Sequence, residues 1–171
     1  APPGYVFWET DYSAIEAVLT GYFAGDPAYM RLAKLGVHAY LASHILERPA
    51  DLSWSDADLR AYFKTLKKEE PSTYDTAKRV THSSNYMATP RKLHYEFPET
   101  FPTIKKANEL QGLYFELFPA IRQWHTDLCV KVDAAKRRTG EEGEKLDPWS
   151  LGVCQVRNPF GYVHRFYNVL D

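Results

Sequence analysis

The sequence predicts a mainly α-helical fold with small β elements near both chain ends, an α+β arrangement, and three observations predict it. Between residues 14 and 137 most segments repeat their apolar side chains at three- and four-residue spacing, the period of an amphipathic helix. The run Tyr5-Val6-Phe7-Trp8-Glu9-Thr10 is instead β-branched and aromatic. Two further runs, 151–157 and 162–167, flank Asn158-Pro159-Phe160-Gly161, which reads as the four-residue turn of a β-hairpin.

Taken in order, residues 5–10 follow Pro2-Pro3-Gly4 and are expected to form a buried strand with Asp11-Tyr12-Ser13 at its end. Ile15, Val18, Leu19 and Tyr22 then mark the apolar face of a helix from Ala14 to about Ala24. Gly25-Asp26-Pro27 stops it and starts another over 28–34, and Gly36 separates that from a short helix over 38–46. Ser55 is positioned as an N-cap for a helix reaching Lys68, with Leu59, Tyr62, Phe63 and Leu66 as its apolar stripe. Ser72 and Asp75 form a capping pattern that predicts a helix over 73–87. Another should begin near Thr103 and run to Phe118. Pro119, which lacks an amide donor, kinks or restarts it into a continuation over 120–137 with Ile121, Trp124, Leu128 and Val132 on one side. Residues 139–148 are polar and glycine-containing, hence a loop.

The chain has 171 residues, 44% of them hydrophobic, so it can build a core without disulfides or a structural metal. Cys129 and Cys154 form no CxxC pair and read as buried or incidental thiols in a reducing, cytoplasmic setting rather than a secreted one. No apolar stretch is long enough to span a bilayer, so no membrane partner is expected. The net charge of −1 conceals a distribution: residues 1–59 carry 3 basic and 8 acidic side chains, 60–106 carry 10 and 5, and 107–171 carry 8 and 9. An acidic segment followed by a basic one suits a metal-linked polyanion, although charge runs on helices are also simply solvated faces.

Two places could carry chemistry. Asp11 lies at the end of the expected strand, where a carboxylate suits magnesium, a cation that takes hard oxygen ligands; it could equally cap the helix that follows. Tyr74, Lys78, His82 and Tyr86 recur every four residues and share one helix face. Tyrosines at that spacing are ordinarily core, but the intervening lysine and histidine argue against an entirely buried face. Along it a polyanion would meet a cation, a ring donor and a flat ring suited to stacking a base, with Arg79 adjacent.

The string ETDYSAIEAVLTGYFAGD resembles motif A of the family A, DNA polymerase I-like, DNA polymerases, and AKRVTHSSNYMATPRKL is similar to their motif B. GVHAYLASHIL is similar to the histidine-bearing helix after motif A, YFELFPAIRQWHTDL to the segment after motif B, and NPFGYVHRFYN to the hairpin leading back from fingers to palm. The matches occur in the family's order and cover most of the chain. The resemblance implies a palm edge with motif A over 1–25, a helical fingers subdomain over 26–149 with motif B at about 73–87, and a β-hairpin over 150–171 returning toward the palm.

That resemblance implies a two-metal nucleotidyl transfer with Mg²⁺ as cofactor and DNA primer-template and dNTP as partners. Asp11 would bind the magnesium ions, joined by the backbone carbonyl of Tyr12. Glu16 matches the family's steric gate against a ribose 2′-hydroxyl. Lys78 matches the motif B lysine that neutralises triphosphate and serves as general acid. His38 matches a triphosphate contact, His82 falls where the family carries an aromatic residue against the sugar, and Tyr86 matches the tyrosine that stacks at the templating position. Arg79 adds positive charge.

Three departures accompany the likeness. Tyr74 stands where motif B has arginine, so a phosphate contact is missing or comes from Arg79 or another cation. Met87 replaces a glycine and is expected to disfavour a sharp bend. No His-Asp-Glu motif C occurs in the sequence. The expectation is therefore a piece of a polymerase, inactive alone and needing a remaining polypeptide with motif C and thumb. The alternatives are a non-catalytic nucleotide- or DNA-binding subunit, a split-polymerase half, and a helical interaction domain with coincidental motifs.

Overall fold

The computed structural model describes residues 2–8, 14–141, 154–157 and 163–166. The chain divides into two compact units, Ala1–Ile121 and Arg122–Asp171. The described residues are mainly helical, with eight helices: α1 (Ile15–Ala24), α2 (Pro27–Leu35), α3 (Val37–Ile45), α4 (Asp56–Glu69), α5 (Pro71–Asn85), α6 (Pro90–Glu96), α7 (Ile104–Leu117) and α8 (Pro119–Glu141). In the second unit, β1 (Cys154–Arg157) pairs antiparallel with β2 (Val163–Phe166), Cys154 opposite Phe166 and Arg157 opposite Val163. The turn expected at 158–161 lies outside the described residues. None of the described helices is long and apolar enough to cross a membrane.

Local capping chemistry marks the starts of four of the eight described helices. Asp26 accepts from the Tyr29 amide at 2.9 Å with Pro27 in the first turn, Ser55 from Asp58 at 3.2 Å, and Thr103 from Lys106 at 3.1 Å. Helix α5 begins two residues before the expected Thr73, because Pro71 occupies its first turn and Glu70 flanks it; Ser72 is inside the helix and its carbonyl accepts from Thr76 Oγ1 at 3.0 Å. Helix α6 is not in the sequence expectation, although Thr89 caps it by accepting from Lys92 at 3.3 Å, with Pro90 next. Helix α8 restarts at Pro119, and continues through residues 139–141, which were expected to be loop. Cys129 is a free thiol and is exposed, not buried.

Two expectations near the start of the chain are corrected. Tyr5–Trp8 form no strand and lie exposed, Trp8 at 87%. Strand preference expresses packing against neighbouring strands, and no described strand pairs with this segment. Helix α1 buries Ala17, Thr20 and Gly21 instead of its large apolar residues; Ile15, Leu19 and Tyr22 are exposed. The reason is closeness to α2: a Cβ on Gly21 would stand 2.8 Å from Met30 Cγ and 3.0 Å from Tyr29 Cδ1, so only the small-residue face can approach.

The core of the first unit forms around α5, which packs on α3, α4 and α7, while α6 lies on α7. Tyr29, Leu32, Leu41, Leu59, Val80, Leu93, Phe101, Tyr114 and Ile121 are almost wholly buried. Within it the Tyr29 and Tyr114 hydroxyls both donate to Asn85 Oδ1, at 3.2 and 2.5 Å, joining α2, α5 and α7 at one polar point. That arrangement satisfies two phenol groups whose ionisation burial opposes, pushing both pKa values up.

Candidate nucleotide-binding cleft

Helices α1, α2, α3 and α5 border an open cleft of about 580 Å³, and Glu16, His38, Tyr74, Lys78, His82 and Asn85 contribute to its lining. Helix α5 supplies Tyr74, Lys78 and His82 from the single face the four-residue spacing requires. Gly36 sets the angle between α2 and α3 and so places His38: its φ is +144°, and a Cβ there would meet Phe63 Cδ2 at 3.1 Å.

The His38 and His82 rings lie 5.3 Å apart, centroid to centroid, and His38 meets the Tyr74 ring edge-on at 6.0 Å. Burial lowers the His38 pKa to about 4, with smaller contributions from His82, Lys78 and Lys67. At neutral pH His38 is thus an uncharged ring able to hydrogen-bond, and it adds no positive charge to that of Lys34 and Lys78 in the cleft. Glu16 is the one carboxylate among the described lining residues. Its Oε1 accepts from the Tyr86 hydroxyl at 2.7 Å, and its Oε2 lies 3.5 Å from His82 Nδ1.

Tyr86 follows α5 as its C-cap residue and is exposed, so the ordinary core role for a tyrosine at this spacing does not apply to it. Met87 does not prevent a bend. It adopts φ 58°, and the turn is closed by Met87 N–H donating to Ser84 O at 3.0 Å and Ala88 N–H to Ser83 O at 2.9 Å.

Arg79 is directed elsewhere. Its Nη1 bonds Glu99 at 2.6 Å and Thr100 at 2.7 Å, and its guanidinium lies 4.5 Å from the Phe97 ring centroid. It lines a second, smaller hollow of about 360 Å³ with Asp75, Phe97 and, shared with the main cleft, Lys78 and His82. Sequence reading passed over Lys34 and Asn85, which also line the main cleft. Asn85 was visible in principle, three residues beyond His82 on the same helix face.

Asp11 and Tyr12, the expected magnesium ligands, lie outside the described residues. Among the described residues no group of three or more His, Cys, Asp or Glu side chains could hold a metal ion. As a donor set, the Asp11 carboxylate and the Tyr12 carbonyl are hard oxygens of the kind magnesium takes. Comparison with protein-family models, curated proteins and solved structures gives no match.

Proposed function

We propose that the chain is part of a template-directed DNA polymerase of the DNA polymerase I-like class, supplying the motif A aspartate and the nucleotide-binding fingers helix, with β1 and β2 as the hairpin leading back to the palm. One observation carries this reading: Glu16, His38, Lys78 and His82, drawn from three separate segments that resemble the family, line one cleft. Residues brought together only by folding make a better argument than any one motif.

In this role Lys78 neutralises phosphate charge and is placed to give a proton to departing pyrophosphate. His38, neutral, hydrogen-bonds a phosphate oxygen, and His82 packs its ring on the sugar. Glu16, held by Tyr86, crowds the 2′-position and favours deoxyribose. Bound to Asp11 and the Tyr12 carbonyl, magnesium would supply Lewis-acid stabilisation of the phosphoryl oxygens. The chain contains no His-Asp-Glu, so by itself it binds nucleotide weakly and does not extend primers.

The test is titration of the 171-residue chain with a deoxynucleoside triphosphate, followed by amide NMR. Shifts grouped on Glu16, His38, Lys78 and His82, weakened in Lys78→Ala, are expected. No saturable binding at millimolar nucleotide, or binding unaffected by Lys78→Ala and Asp11→Ala, would favour a helical interaction domain. Primer extension by the chain alone would overturn the need for a partner polypeptide.

A further inference from the structure

The cleft is polarised along its length. Tyr74 and Tyr86 are separated by twelve positions, about 18 Å of helical rise at 1.5 Å per residue. At the Tyr86 end stands Glu16, the one described lining carboxylate. At the Tyr74 end a cation arrives from a different helix. The exposed Lys67 extends from the last turn of α4, and its Nζ lies 5.0 Å from the Tyr74 ring centroid.

Helix α4 turns Leu59, Phe63 and Leu66 into the core, so Lys67 emerges beside α5, against which α4 packs. Neither Lys67 nor Lys78 has a carboxylate within ion-pair distance among the described residues. Nearby Glu70 is taken by Arg48 at 2.8 Å. Arg79 is held by Glu99 and faces the other hollow. Two ammonium groups with no ion-paired carboxylate among the described residues, one mid-cleft and one at its end, form a field suited to an extended polyanion rather than to a single phosphate.

We propose that Lys67 is a polyphosphate-binding residue, resting on the Tyr74 ring and holding the phosphate farthest from the sugar while Lys78 holds the nearer ones. This rests on the nucleotide-binding reading above and adds to it a residue from outside the segments that carry the resemblance. The Tyr74 ring keeps the ammonium at the cleft end by cation–π attraction, and the flexible lysine stem lets it follow an arriving phosphate. A monophosphate anchored at the Glu16 end would not reach it.

The experiment measures dATP and dAMP affinity for the full 171-residue chain at fixed ionic strength, by NMR titration. The variants are Lys67→Ala, Lys67→Arg, Lys78→Ala and, as a neighbouring surface control, Lys68→Ala. Lys67→Ala should weaken dATP about three- to fivefold, as loss of one partly screened ionic contact would. It should leave dAMP unchanged, Lys67→Arg should restore dATP binding, and Lys68→Ala should have no effect. If Lys78→Ala weakens dATP while Lys67→Ala does not, or if Lys67→Ala and Lys68→Ala act alike, the role of Lys67 is overturned and the cleft reading stands. If the wild-type chain shows no saturable dATP binding, or Lys78→Ala changes nothing, the cleft reading fails and the role of Lys67 with it.

Discussion

The Tyr86 hydroxyl donates to Glu16 Oε1 at 2.7 Å, closing a contact between residues 70 positions apart. The same carboxylate has His82 Nδ1 3.5 Å from its other oxygen. Glu16 therefore ties the C-terminal end of α5 to α1 across the mouth of the cleft. Under the proposed function, the group that would exclude a ribose hydroxyl is oriented by the tyrosine that caps the C-terminal end of the helix carrying Lys78.

Hydrogen bonding to Glu16 is the main influence raising the Tyr86 pKa above its ordinary value, since the carboxylate accepts a hydrogen bond from the protonated phenol and its charge opposes a phenolate. Glu16→Gln should lower it toward that of a free tyrosine. NMR titration of the Tyr86 ring, assigned with Tyr86→Phe, checks this; an unchanged titration means the bond is not held in solution. Tyr86 and Glu16 are both exposed, so Tyr86→Phe should cost less than about 1 kcal/mol of stability.

Met87 offers the opposite case, a residue whose cost is in its backbone. Its φ of 58° lies in the left-handed region, unfavourable for a side chain with a Cβ by roughly 1–2 kcal/mol. The side chain is 43% exposed and contributes limited packing. Met87→Gly should raise the unfolding free energy by about 1 kcal/mol, while Met87→Val should lower it. Urea denaturation of the three proteins gives the order, and a Met87→Gly protein less stable than the wild type would contradict it.

His38 makes stability depend on pH. Its folded pKa of about 4 lies below the ordinary 6.5, so between those values the unfolded chain binds a proton that the folded chain refuses. Stability from this group is complete above about pH 6.5, falls as pH drops, and stops falling near pH 4. The loss is at most about 3 kcal/mol. His38→Phe should flatten the curve of unfolding free energy over that window. If both proteins lose stability equally, the imidazole is not held neutral by burial.

Much of the helical framework was legible because capping is a local matter. Asp26, Ser55 and Thr103 each bond an amide three residues ahead. The Thr89-Pro90 pair carried the same signal for α6, but seven residues are too few to display an apolar period. Helix α1 misled for another reason. Periodicity ranks side chains by hydrophobicity, whereas the face that packs was selected by shape, the absent Cβ of Gly21 letting Tyr29 and Met30 approach. The aromatic run at 5–8 shows the weakness of strand propensity where no neighbouring strand is present among the described residues.

By itself the sequence determined that Tyr74, Lys78 and His82 share a face, because the helical repeat is a property of the backbone and needs no partner. Only the tertiary structure decided what stands opposite that face. It brought Glu16 and His38 to the cleft, drew Arg79 away to Glu99, and set Lys67 over the Tyr74 ring. Those outcomes depend on which helix surfaces fit against one another, and fit is decided by side-chain volume and distance between segments far apart in the chain.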